Sequence, residues 1–227
     1  MSIDTCYACE LPACTVEHCP PKSFFPEGQR DHLLTVASCA EHNNDNSKDV
    51  EYVRNVLTTL WGINTSGLEL FAGKVKRSLD RSPKLLTRTF STMQTVFHEG
   101  QLTGAFRLDI DRLENVFEAC ARAIHYHETR RKHTDWGILM PRLMFNPEVP
   151  ETDRQKWVRL WEMLQTVGFA RKSVGNPQVF EFGAADLEGN SLYCFVFYQG
   201  FPVYAIPLPK GLRRGLTDLS SEIKAKS

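Results

Sequence analysis

Two short spacings constrain what this chain can fold into more than anything else in it: Cys6-x-x-Cys9 and Cys39-x-x-His42. Zinc takes four sulfur or nitrogen ligands at tetrahedral vertices, and two ligands spaced by two residues can be aimed at one point by a tight turn. The two pairs therefore predict one closed ion clasped by half-sites that a loop separates. A more local set, Cys6, Cys9, Cys14 and Cys19, competes with it, and a segment without metal is the third alternative. The local set puts Pro12 inside one of its wider gaps and leaves Cys39-x-x-His42 without a role. The split set is the reading taken forward, with Cys14, Cys19, Cys120 and Cys194 as ordinary thiols. Four protein ligands leave no open position, so zinc held there is expected to be structural.

The surrounding sequence explains why an ion would be needed. The chain has 227 residues and seven cysteines. Five of the seven fall by position 39, and the start, MSIDTCYACE, lacks the basic-then-apolar layout of a signal peptide. A cytoplasmic, reducing setting is expected, where clustered cysteines argue for metal over disulfides. No apolar run of about eighteen residues is present, so no membrane partner is expected. Lys+Arg and Asp+Glu both number 27. Global charge thus gives no argument for a nucleic-acid partner, and any such argument must be local. The first fifty residues are too few for a large apolar core, the situation in which a metal supplies stability.

The rest of the chain reads as α+β. A short strand is predicted over 33–36 and a helix over 47–61, with Val50, Val53, Leu57 and Leu60 at helical spacing. Residues 68–97 read as helix broken at Ser82-Pro83. A carboxylate cap at Asp109 or Asp111 opens a helix whose apolar face carries Leu113, Val116, Phe117, Cys120 and Ile124. A further helix over 153–167 places Trp157, Leu160, Trp161 and Leu164 on one side. From Val179 apolar and aromatic residues alternate around Gly-Asn and Gln-Gly turns, as in antiparallel β-hairpins. Residues 210–227 read as a solvated tail or frayed helix. The expected organisation is a small zinc-bound module over 1–60 and an α+β region over 61–227 that selects substrate, regulates, or forms a homodimer.

Between the two half-sites lie Glu17-His18 and His32, and Asn43, Asn44 and Asn46 follow them. Carboxylate, imidazole and amide oxygen suit a hard divalent ion and the activation of its water. Alone, Glu17-His18 would be a solvated surface pair, and the asparagines a helix-cap and turn cluster. Their weight comes from their place beside the knuckles.

The order Cys-x-x-Cys, Glu-His-x-x-Pro, a Leu-Thr-Val strand, then Cys-x-x-His followed by Asn-Asn resembles the HNH (ββα-metal) endonuclease module in its zinc-stapled variant. The likeness runs from about Cys6 to Tyr52. It implies a hairpin crossed by a helix, and a metal-dependent endonuclease that hydrolyses DNA. By the same likeness His18 is the general base, Glu17 and Asn43 hold a catalytic Mg²⁺ or Mn²⁺, and Cys6, Cys9, Cys39 and His42 hold structural Zn²⁺. The family's middle asparagine, which supports the hairpin loop and the catalytic histidine, falls at His32, whose imidazole can also bond a backbone carbonyl. Lys22 and Lys48 flank the site in sequence and are expected to contact phosphate, as Arg30 could equally.

Other features have plainer explanations. His125, His127 and His133 lie near Arg130, Arg131 and Lys132, suggesting a basic surface near DNA more than a second metal site. The aromatics between Tyr193 and Tyr204 fit a sheet core better than a base-stacking platform. Two rivals to the nuclease reading stand beside it: a non-catalytic zinc module that binds nucleic acid or protein, and a regulated antiphage or toxin-type nuclease effector.

Overall fold

A computed structural model describes residues 4–44, 47–98, 100–144, 149–187 and 189–210. Strands β1 (Thr15–Cys19) and β2 (Leu34–Ser38) pair antiparallel, with His18 opposite Thr35 and Glu17 opposite Val36. Pro20 and Pro21 follow β1 directly, and proline has no backbone N–H to continue a ladder. Helix α1 (Ala40–Asn44) starts immediately after Cys39, and α2 (Ser47–Leu57) follows it. The expected helix over 47–61 thus ends early. Thr58 Oγ1 donates to the Arg54 and Asn55 carbonyls, and Thr59 Oγ1 to those of Asn55 and Val56. Hydroxyls that take helix carbonyls in this way compete with continuation of the helix.

Helices α3 (Thr65–Leu70) and α4 (Lys76–Arg81) are joined by a wider π turn at Phe71–Val75. The break at Ser82-Pro83 is as expected: Ser82 Oγ accepts from Leu85 N and caps α5 (Pro83–Phe90), with proline in its first turn. The helix reading of 68–97 fails beyond that point. Residues Gln94–His98 form β3, paired with β4 (Gln101–Ala105) in an isolated hairpin. Thr95, Val96 and Phe97 favour extended backbone, and Gly100 supplies the turn with φ +80°.

Helix α6 (Ile110–Thr129), capped by Asp109, is the centre of the molecule. Val116, Cys120 and Ala123 face the β1 side, where Cys19 Sγ donates to the Cys120 carbonyl. Phe117 instead packs, with its ring tilted, against Phe197 and Phe201. Those phenylalanines belong to a five-stranded antiparallel sheet of order β5-β9-β8-β7-β6. Its strands are β5 (Trp136–Leu139), β6 (Ala170–Ser173), β7 (Phe180–Leu187), β8 (Asn190–Phe197) and β9 (Phe201–Pro207). Helix α7 (Glu151–Gln165) covers the other face, burying Leu164 against Leu139, Leu192 and Tyr204, with Leu160 and Trp161 half-buried. Trp157, expected on the same side, is exposed. The α+β class is as read from the sequence, and Tyr193, Phe195, Phe197 and Tyr204 are sheet core. The solvated-tail reading of 210–227 lies, beyond Lys210, outside the described residues.

One core runs through both expected regions. Phe24 and Phe25 are fully buried, Phe24 packs edge-on against Phe197, and Tyr198 Oη donates to the Phe24 carbonyl at 2.7 Å. The segment after α2 docks on the turn between β8 and β9, where a Cβ on Gly200 would sit 2.2 Å from the Gly62 carbonyl oxygen. A backbone atom cannot yield as a side chain does. Gly200→Ala is expected to cost about 2–3 kcal/mol, read as a lower urea midpoint with an unchanged slope. An unchanged midpoint would show that this docking is loose.

Candidate metal centre and adjoining cleft

The segment Asp4–Ala13 folds back on itself: Cys6 N donates to Leu11 O, Ala13 N to Asp4 O, and Thr5 bridges Pro12. Tyr7 N to Ala37 O and Cys14 N to Ser38 O then fasten this knuckle to β2. The result brings Cys6 and Cys9 to Cys39 and His42, at the mouth of α1. Their four ligand atoms all lie within 4.8 Å of one another. Zinc–sulfur and zinc–nitrogen bonds of about 2.3 and 2.0 Å imply tetrahedral edges of about 3.8 Å between sulfurs and about 3.5 Å from sulfur to nitrogen. The observed separations are 3.8 Å for Cys9 Sγ to Cys39 Sγ, and 3.7, 3.6 and 3.2 Å from His42 Nδ1 to Cys6, Cys9 and Cys39.

The electrostatics agree with that geometry. Burial and the neighbouring Cys39 and Cys6 thiols push the Cys9 thiol up to about 11. Burial opposes ionisation of Cys6 too, but the backbone N–H groups of Ala8, Cys39 and Cys9 bring its thiol below the ordinary value. Three thiolates crowd one another unless a cation neutralises them, so the set could hold a metal ion such as zinc. The local alternative is not formed: Cys14 is exposed, and Cys19 is buried against Cys120.

Lys132 explains part of the basic run after α6. Its ammonium donates to Thr5 Oγ1, the Cys9 carbonyl and Glu10 Oε1, bracing the knuckle. His125 bonds Tyr193 Oη, and His133 packs on Trp136 and bonds the Asp135 carbonyl. These two histidines are packing groups.

Beside the cluster, an open cleft of about 490 Å³ is lined by Val16, Glu17 and His18 of β1, Lys22 and Ser23, Asn43 of α1, and Ser47, Lys48, Val50, Glu51 and Arg54 of α2. Alternation along a strand sends neighbouring side chains to opposite faces, so three consecutive lining residues mean that the cleft follows the unpaired edge of β1. Asn43 Nδ2 donates to Thr15 Oγ1 at 3.0 Å, which places α1 on the face that Thr15 shares with Glu17. A narrow pocket of about 20 Å³, room for one water, runs behind Glu17 and His18 to Tyr7 and His42.

Neither the Glu17 nor the His18 side chain makes a hydrogen bond or ion pair among the described residues. Burial raises the Glu17 carboxyl to about 7. Burial and the Lys22 ammonium hold His18 below the usual histidine value, so its imidazole is neutral at pH 7. Glu17, His18 and Asn43 thus line one cleft, and carboxylate, imidazole and amide oxygen are groups that can bind a divalent ion.

Of the residues nominated from sequence, Glu17, His18, Lys22, Asn43 and Lys48 line this cleft together. His32 does not. It sits exposed at φ +56° just before β2 and makes no hydrogen bond among the described residues, so the carbonyl contact expected of it is missing. Arg30 bonds the Phe25 carbonyl instead of lining the cleft. Asp45 and Asn46 lie outside the described residues, as does the side chain of Asn44. Arg54 and Glu51 were missed, although Ser47, Val50, Glu51 and Arg54 recur at helical spacing and so share a face with Lys48's neighbours.

Among the described residues no helix is long and apolar enough to cross a membrane. Compared with family models, curated proteins and solved structures, the chain matches none.

Proposed function

We propose that the chain is a metal-dependent endonuclease of the HNH (ββα-metal) type, hydrolysing phosphodiester bonds of DNA. The observation that carries this reading is convergence: a base, a carboxyl, an amide and two lysines from four separate segments line one cleft, braced by a Cys₃His cluster. Zinc in that cluster is structural, since all four positions are taken by protein. His18, neutral and without a hydrogen-bond partner, accepts the proton of an attacking water. Glu17 and Asn43 Oδ1 would hold Mg²⁺ or Mn²⁺, which when bound neutralises charge developing on the phosphate. Lys22 and Lys48, both exposed at the cleft, draw the strand in.

The reading is tested by converting supercoiled plasmid with purified protein. Wild type is expected to nick or cut it in Mg²⁺ or Mn²⁺, and Glu17→Gln to need far more ion for the same rate. A wild type inert in Mg²⁺, Mn²⁺ and Ni²⁺ overturns it. That result would favour the non-catalytic zinc module, the reading which the contact-free His32 supports, provided that DNA or a protein is still bound. Silence relieved by an added trigger would instead mark a regulated effector.

A further inference from the structure

Arg54 is a buried cation that the nuclease chemistry above does not use. It is 5% exposed, yet it lines the cleft that also contains His18, Glu17 and Asn43. Its Nε and Nη2 donate to the carboxamide oxygen of the adjacent Asn55, at 3.3 and 3.0 Å. Glu51 Oε1 stands 3.7 Å from Nη2, and the other Glu51 oxygen is taken by Arg88 at 3.2 Å. One edge of the guanidinium is therefore fixed, while Nη1 makes no hydrogen bond among the described residues. Ser23, also in the cleft wall, has a buried hydroxyl with no partner.

Nη1 is not sealed from solvent, so it is open to a ligand that enters the cleft. The planar guanidinium fork fits phosphate oxygens, and one held in advance loses little freedom when it binds them. The cleft's charged lining is three cations, Lys22, Lys48 and Arg54, against two carboxyls, Glu17 and Glu51. Of the two carboxyls, Glu51 is shared with Arg88. The surplus is positive, and the neighbouring Lys74 ammonium, lowered first by burial and then by Arg54 and Arg30, feels the same field.

From this geometry we infer that Arg54 grips a phosphate of the nucleic-acid strand laid in the cleft, through the guanidinium edge that Asn55 and Glu51 leave free. This rests on the cleft being the phosphodiester-cleaving site. Arg54 is then a substrate-binding residue of that site, and α2 carries both an outer phosphate contact, Lys48, and an inner one.

The test compares wild type, Arg54→Gln and Arg54→Lys, with metal content and melting curves confirming the fold. Binding of a short duplex is measured against salt with Ca²⁺ in place of Mg²⁺, alongside plasmid cleavage in Mg²⁺. Loss of one phosphate contact lowers the salt slope by about 0.9, so between about 50 and about 200 mM salt Arg54→Gln should lose about 3.5-fold less affinity than wild type does. Arg54→Lys should keep the slope but not the full cleavage rate, because an ammonium cannot reproduce the fork. An unchanged slope in Arg54→Gln, with wild type cleaving, overturns the Arg54 assignment and leaves the nuclease reading standing. A wild type that binds with the predicted slope change but never cleaves does the reverse, and one that neither binds nor cleaves overturns both. Should both substitutions unfold the chain, the side-chain N–H resonances of Arg54 in His18→Ala protein decide: a shift on adding duplex supports the contact, and no shift in saturated complex removes it.

Discussion

Replacing Cys39 by serine, or stripping the cluster with a strong chelator, is expected to take the bound metal from one ion per chain to none and to lower the melting temperature by about 10–20 °C. Loss of a structural metal belongs to the few changes worth more than about 4–5 kcal/mol, and about 1 kcal/mol moves the midpoint of a chain this size by about 2–4 °C. Cys39 is a severe choice because it touches everything nearby. It is 4% exposed, lies 3.8 Å from Cys9 Sγ and 3.2 Å from His42 Nδ1, and immediately precedes the helix that bears Asn43. Its carbonyl also accepts from Asn43 N. Without the ion, the knuckle's ties to β2 and to Lys132 remain, so the sheet and α6 should outlast the N-terminal segment on heating. Elemental mass spectrometry and calorimetry on the same samples check both halves. Metal-free wild type with an unaltered melt would show that the four residues hold no ion.

His18→Ala is expected to reduce divalent-ion-dependent plasmid cleavage by about 10²–10⁴-fold, the usual contribution of a positioned general base. The same variant should keep its zinc, its duplex affinity and its melting temperature to within about 1 kcal/mol of stability. The separation is sharp because the His18 side chain has no structural work among the described residues: it is half-buried, its imidazole makes no hydrogen bond, and its neutral ring is held only by the cleft wall. Gel-based cleavage and a binding isotherm on one preparation give both readouts. Full activity in His18→Ala would remove the histidine from the chemistry, whereas joint loss of cleavage and binding would make it a packing residue.

The Cys-x-x-Cys and Cys-x-x-His pairs were legible because ligand spacing is local: a turn of fixed length can aim two side chains at one point whatever the rest of the chain does. Strand β2, the start of α2, the Asp109 cap and the aromatic strands after Val179 were legible for the same reason, since strand alternation, capping and helical period are written within a few residues, whereas the pairing of β1 with β2 and the short α1 were expected only from the HNH resemblance. The isolated hairpin of β3 and β4 was not: the helix reading ran on through Gln94–His98 although Thr95, Val96 and Phe97 favour extended backbone, because a short apolar run suits helix and strand alike until its neighbours choose.

Bringing Glu17, His18 and Asn43 into one cleft needed β1, α1 and α2 to be assembled around α6, and no single window contains those contacts. Lys132 bracing the knuckle spans 123 residues to the Cys9 carbonyl, and Tyr198 reaches Phe24 across 174. The sequence by itself determined which atoms could bind a metal. Only the tertiary structure decided that an arginine four residues from Val50 would be buried yet face the cleft, because burial depends on what the rest of the chain packs against it.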